Sequence, residues 1–207
     1  MTDTDVSKSY VASSLEEQRD AYDTWAKKYE PDLCAMGYRI PAAIASVFTR
    51  YVPLDTAPIL DAGCGGGIQS EALDLLGYKN ITGIDLSEGM LAVAQDKNIY
   101  SELCQMTLGG RLGFADETFA AIISAGTITP NHAPAESFVD LVRVAKPGAP
   151  IVFSLRDDPK QEPEYPAILE TLENEGAWKK TFQSPSFHSM PYGEPDITHR
   201  IHVYHVL

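Results

Sequence analysis

Two acids and a set of glycines are the residues of this chain best placed to do chemistry. Asp61 ends the apolar run Ile59–Leu60, and Gly63, Gly65 and Gly67 follow at every second position, with Gly66 between the last two. Asp85 ends a second apolar run, 81–84, and lies 22 residues beyond Gly63. Glycine at such a turn lets the backbone approach a ligand, because no Cβ intervenes and positive φ is allowed. A carboxylate at the end of the second strand, at that distance, can accept hydrogen bonds from both hydroxyls of a ribose. The chemistry these residues suit is recognition of a nucleoside.

The spacing narrows the nucleoside. A dinucleotide fingerprint needs glycines at G-x-G-x-x-G, so that a diphosphate rests on the helix N-terminus. Counted from Gly63 and Gly65, the third glycine falls at Ile68. The pattern Asp61-Ala62-Gly63-Cys64-Gly65-Gly66-Gly67 instead resembles the first motif of class I S-adenosylmethionine-dependent methyltransferases. An acid in front of that turn suits a ligand carrying an ammonium and a sulfonium better than one carrying two phosphates.

The resemblance implies S-adenosyl-L-methionine as cofactor, S-adenosyl-L-homocysteine as product, and a set of contacts. In the turn these are Asp61, Ala62, Gly63, Cys64, Gly65 and Gly67. Asp85 would hold the ribose, with Leu86 and Met90 against the adenine. Relatives place an acid after the third strand for the adenine amino group; this chain has Thr107-Leu108, so backbone groups or the Thr107 hydroxyl must serve. Ser124, Ala125 and Gly126 would face the transferred methyl. YDTWAKKYE resembles the segment by which many small-molecule methyltransferases close a lid, which assigns that duty to Tyr22, Trp25 or Tyr29; the same aromatics would also pack a helix on its domain. A narrower resemblance, to the methyltransferase-like family of the Williams–Beuren syndrome critical region, rests on TLGGRLGF, ISAGTIT, RVAKPGAPIVFSLRDD and LENEGAWKK…VYHVL. It brings no acceptor with it.

A general base is needed only if the acceptor must lose a proton. His132, just beyond the fourth strand, is the leading candidate by position, set against a reading as a polar loop histidine without a catalytic role. His188 is a weaker candidate. Cys64 reads as a small filler, and no nucleophilic or metal-binding constellation is apparent.

These residues must be carried by an alternating α/β chain. Ile68, Ala72, Leu75 and Leu76 recur on one helical face until Gly77. Ser14 and Glu17 form a capping box opening a first helix, a linker containing Pro31 and Gly37 follows, and a second helix spans 41–51. Strands are expected at 100–108, 119–124 and 150–155, with helices at 88–97, from Pro134 to about 145, and 165–175. The tail reads as strands at 178–182 and 200–207 joined by a loop. The resemblance implies a Rossmann-like fold with a seven-stranded, mostly parallel sheet, an antiparallel C-terminal hairpin and an N-terminal helical cap. Residues 1–12 read as a mobile tail and 13–207 as one domain, with 13–52 as the cap.

Composition restricts partners. A net charge of −13, with Lys/Arg paired only at 27–28 and 179–180, disfavours nucleic acid and anionic membrane and favours a small-molecule acceptor. No apolar run is long enough to span a bilayer, and three cysteines make no disulfide framework, so the expectation is a cytoplasmic protein. Oligomeric state is open. Two other functions fit less of the sequence: a non-catalytic S-adenosylmethionine-binding regulator, and a nicotinamide oxidoreductase, which Ile68 disfavours.

Overall fold

The computed structural model describes residues 14–207; the tail read at 1–12, and residue 13, lie outside the described residues. Five strands run parallel: β1 (Ile59–Ala62), β2 (Ile81–Asp85), β3 (Glu102–Gln105), β4 (Ala121–Ser124) and β5 (Pro150–Arg156). Three more, β6 (Trp178–Gln183), β7 (Phe187–Met190) and β8 (Glu194–Val206), are added antiparallel. The order across the sheet is β3-β2-β1-β4-β5-β8-β6, with β7 pairing the outer half of β8. Every residue of β1, β4 and β5 is buried, as expected of central parallel strands covered on both faces.

The chain steps outward from β1 to β2 and β3, then returns to place β4 on the other side of β1. That reversal opens a crevice at the carboxyl ends of β1 and β4, where ligands of such sheets bind. Helices cover both faces. On one side α2 (Ile40–Tyr51) buries Ile44 and Phe48 against Ile59, Ile81 and Ile123. On the other, α5 (Ser137–Val144) buries Phe138 and Leu141 against Phe153 and Trp178, together with α6 (Glu164–Asn174). The crossover helices α3 (Ile68–Leu75) and α4 (Glu88–Asp96) follow β1 and β2.

The structure departs from the sequence expectation in three places. The helix α1 runs from Leu15 to Ala35 through Pro31, which lies inside it rather than in a linker. Pro31 is exposed and removes one backbone donor, while the turn around it is tied by the Trp25 Nε1–H bond to Asp32 (2.7 Å) and by buried Leu33. The sheet has eight strands where seven were expected. The third change explains the second: β8 begins at Glu194 instead of Arg200, and its early part pairs with β7. Ile197, His199 and Ile201 are buried in alternation with less buried neighbours, the period of a strand. Pro and Gly residues nearby masked that period.

Candidate functional site

The turn after β1 is fastened to β2 by two hydrogen bonds, from the N–H groups of Gly63 and Cys64 to the Ile84 carbonyl, each 2.9 Å. Two of its glycines are required for different reasons. At Gly63 (φ +75°) a Cβ would collide with the Thr127 side chain, so the absent side chain lets the turn meet the loop after β4. At Gly65 (φ +52°) a Cβ would meet no atom within 4 Å, and the residue opens on the crevice.

Asp85 completes this cradle. Its Oδ2 accepts the Gly65 N–H (2.8 Å) and its Oδ1 the Ser87 N–H (2.9 Å). Burial pushes its pKa up, against those two bonds. A carboxylate has about four acceptor positions, so capacity is left for a ligand on the cleft side. Asp61 behaves otherwise, and the expectation that it faces the ligand is corrected. It is fully buried beneath the turn, accepting hydrogen bonds from Gln69 Nε2 (2.9 Å), Ser70 Oγ (2.6 Å) and Tyr100 Oη (2.8 Å). Desolvation, only partly offset by those donors, pushes its pKa up to about 6. Asp61 holds the base of the turn together.

The cleft encloses about 790 Å³ of empty space, part of it open to solvent. Of the residues singled out from the sequence, it is lined by Tyr22, Tyr29, Gly63, Cys64, Gly65, Asp85, Leu86, Met90, Thr107, Leu108, Ala125, Gly126 and the candidate base His132. It does not take in Asp61, Ala62, Gly67 or Ser124. The Ala62 carbonyl accepts the Ser124 hydroxyl inside the sheet (2.9 Å), and Gly67 caps α3 beneath Tyr100. Trp25 is turned away, bound to Asp32, and lines an adjoining compartment. Residues that sequence reasoning missed as lining are Leu15, Gln18, Tyr38, Gln69, Ile84, Met106, Thr127 and Ala133, with Ile68 at the start of α3. Thr127, next to Gly126, was within reach of the motif reading; Tyr38, alone after α1, carried no periodic signal.

The roof is α1, clamped at three points. Gln18 Nε2–H reaches the Asn131 carbonyl (2.7 Å). Asp23 Oδ1 accepts the Ser87 hydroxyl (2.5 Å) and the Gly89 N–H (2.8 Å), at the N-terminus of α4. Glu30 pairs with Lys97 (2.7 Å), which also holds Glu71 (2.6 Å).

His132 lies at the far end of the cleft, its ring 5.9 Å from that of Tyr22. Its Nδ1 is 3.2 Å from the Pro130 carbonyl, which can only accept, so Nδ1 carries the proton. Burial lowers its pKa to about 4, and the imidazole is neutral at pH 7. His188 is exposed on β7, bound to the Pro195 carbonyl, and does not reach the site. The Cys64 thiol is pushed well up by burial and by Asp61, which leaves it protonated and inert.

A strand–glycine turn–helix–strand cradle at the reversal of such a sheet defines a nucleoside-binding Rossmann-like domain. The methyltransferase-domain family signature matches residues 60–153. Human methyltransferase-like protein 27 is 31% identical over 164 residues, covering 76% of this chain and 66% of that protein. A ubiquinone biosynthesis O-methyltransferase of Pseudomonas putida is 35% identical over 107 residues, 50% of this chain and 46% of its own length. The chain thus spans just under two thirds of the human relative and less than half of the bacterial one. Among solved structures, a TehB-like S-adenosylmethionine-dependent methyltransferase from Corynebacterium glutamicum covers 90% of this chain and 98% of its own, at a TM-score of 0.64 and 20% identity. The [4+2]-cyclase SpnF shares the fold at a TM-score of 0.65 and 16% identity, covering 80% and 81%. Residues 60–153 thus carry a methyltransferase domain, and the fold around it is that of the class I S-adenosylmethionine-dependent methyltransferases.

The cleft fits the cofactor of that family. Open space beside Gly65, spare acceptor capacity on Asp85 and an apolar side formed by Leu86, Met90, Met106 and Leu108 suit an adenosyl group. The lining holds one acid and no Lys or Arg among the described residues, which favours a cationic ligand over a diphosphate. Ile68, on the wall at the start of α3, also stands where a diphosphate would approach the helix.

Proposed function

We propose that the protein is an S-adenosylmethionine-dependent methyltransferase acting on a small-molecule acceptor. The observation that carries this reading is Asp85, gripping the turn through the Gly65 N–H on the wall of a cleft that no Lys or Arg lines among the described residues. When bound, S-adenosylmethionine supplies an electrophilic methyl carbon on a positively charged sulfur. The chain's own share is binding, alignment and exclusion of water. Alignment alone can lower a barrier by up to ~7–11 kcal/mol.

In this reading Asp85 holds the ribose, and Tyr22 and Tyr29 close the cleft from α1 and keep water out. Thr107, exposed on the rim, offers its hydroxyl to the adenine edge. His132, neutral and protonated at Nδ1, lines the cleft; with a pKa of about 4 it is a weak base and serves to position the acceptor. A roof fastened at three points favours a small acceptor over a polymer. Three free cysteines, and no described helix long and apolar enough to cross a membrane, support a cytoplasmic setting.

The test is turnover: the protein is incubated with S-adenosylmethionine and a panel of small acceptors, and S-adenosylhomocysteine release is followed by mass spectrometry. Acceptor-dependent release supports the enzyme. Tight cofactor binding with no release across the panel favours a regulator.

A further inference from the structure

Beside the cofactor cleft lies a second compartment, about 440 Å³ of empty space counting the part open to solvent. The two spaces share Tyr22, Tyr29, Tyr38, Gly126 and His132 as a common wall. A transferred group and its acceptor would have to meet across that wall.

The compartment mixes apolar side chains with uncharged polar ones. Trp25, Leu33, Ile40 and Met190 give it apolar sides, and no Asp, Glu, Lys or Arg lines it among the described residues. Charges nearby are already paired: Arg156 makes two 2.8 Å hydrogen bonds to Asp158, and Asp32 accepts the Trp25 Nε1–H. His132 and His199, on the walls, are both neutral at pH 7, since burial lowers each pKa to about 4. His199 is held through Nδ1 by the Ser189 hydroxyl (3.0 Å).

One polar group stands out. Thr129 is 3% exposed, lines the compartment, and its hydroxyl has no hydrogen-bond partner among the described residues. A buried hydroxyl without a partner costs roughly 1–3 kcal/mol, a cost that a ligand could relieve. An isolated carboxylate or ammonium in the same space would lose its hydration and find no opposite charge.

We infer that this compartment takes the methyl acceptor, and that the acceptor is an uncharged, ring-bearing small molecule whose hydroxyl bonds to Thr129. The inference rests on the methyltransferase reading above and names its substrate class. Tyr22, Trp25 and Tyr29 provide flat apolar surface for the ring, and Thr129 fixes its orientation.

Calorimetry on the full chain saturated with S-adenosylhomocysteine tests it, with 2-naphthol, 2-naphthoate and 2-naphthylmethylammonium as probes at pH 7. The expected result is one site for 2-naphthol, at least tenfold tighter than for either ion. Thr129→Val should weaken 2-naphthol about tenfold with unchanged S-adenosylhomocysteine affinity, and Thr129→Ser should restore it. If S-adenosylhomocysteine binds but 2-naphthol does not, or either ion binds as tightly, or Thr129→Val has no effect, this inference is overturned while the cofactor reading stands. Failure of S-adenosylhomocysteine itself to bind overturns both.

Discussion

The turn after β1 and the loop after β4 lie side by side over the same sheet, and they are built on opposite terms. The cofactor half comes mainly from the stretch 59–90, completed by 106–108, and its turn works through backbone: N–H groups of 63, 64, 65 and 87 fix its shape, with Asp85 as its charge. The acceptor half is gathered from α1, Tyr38, the start of α2, the segment 125–133, β7 and β8, and works through side chains that carry no charge among the described residues. One half surrounds its buried acids with hydrogen-bond donors. The other keeps its histidines neutral by burial.

That contrast predicts opposite responses to acid, and these are the largest effects. Unfolded histidine takes a proton below about 6.5, whereas folded His132 and His199, and His202 on β8 outside the compartment, resist until about 4. The unfolded state therefore binds more protons in that window, and stability falls as pH falls from 6.5 to 4. At about 1.4 kcal/mol per pH unit, each histidine contributes up to ~3 kcal/mol to the loss. Asp61 has the reverse sign. Its folded form keeps a proton up to about 6, when the unfolded form has released it near 3.8, so its contribution to stability falls as pH rises from 3.8 to 6. Denaturant unfolding from pH 4.5 to 8 should show net loss towards acid, smaller in His199→Asn and steeper in Asp61→Asn. A flat profile would show that the two halves do not differ in this way.

Gly63→Ala comes next. Positive φ and collision with Thr127 should cost ~2–4 kcal/mol of unfolding free energy. Adding Thr127→Ala should recover part of it; no recovery would mean the two loops are not in close contact. Gly65→Ala, into open space, should cost about 1 kcal/mol of stability and instead weaken cofactor binding.

Asp85→Ala should weaken S-adenosylhomocysteine by at least tenfold in a calorimetric titration, about 1.4 kcal/mol or more, whereas Asp61→Asn should change it less than threefold. Equal losses would erase the distinction between a ligand-facing acid and a structural one. The smallest effect is expected for Asp23→Ala, which removes the cap that α1 places on α4, at about 1 kcal/mol of stability.

The same contrast explains what the sequence made legible. Glycine spacing and strand-end acids encode a local backbone path, so the nucleoside cradle, Asp85 and the parallel core could be read directly. Asp61 carried the same signal as Asp85, because a strand-end acid says nothing about which way its carboxylate points; Gln69, Ser70 and Tyr100 decide that from elsewhere. Trp25 belonged to the right helix but was assigned to the wrong compartment, since helical spacing fixes a face and not its neighbour. Tyr38, Thr129 and His199 meet only after β7 and β8 pair, and the strand period that builds that pairing was hidden by Pro185, Pro191, Gly193 and Pro195.

Whether the cleft holds an adenosyl group of positive or neutral charge in place of a diphosphate can be measured in one comparison, by titrating the protein with S-adenosylhomocysteine and with NADH under the same conditions. Saturable binding of S-adenosylhomocysteine, with NADH at least a hundredfold weaker, is what the Asp85 cradle and Ile68 require. Tighter binding of NADH would contradict the account at its base.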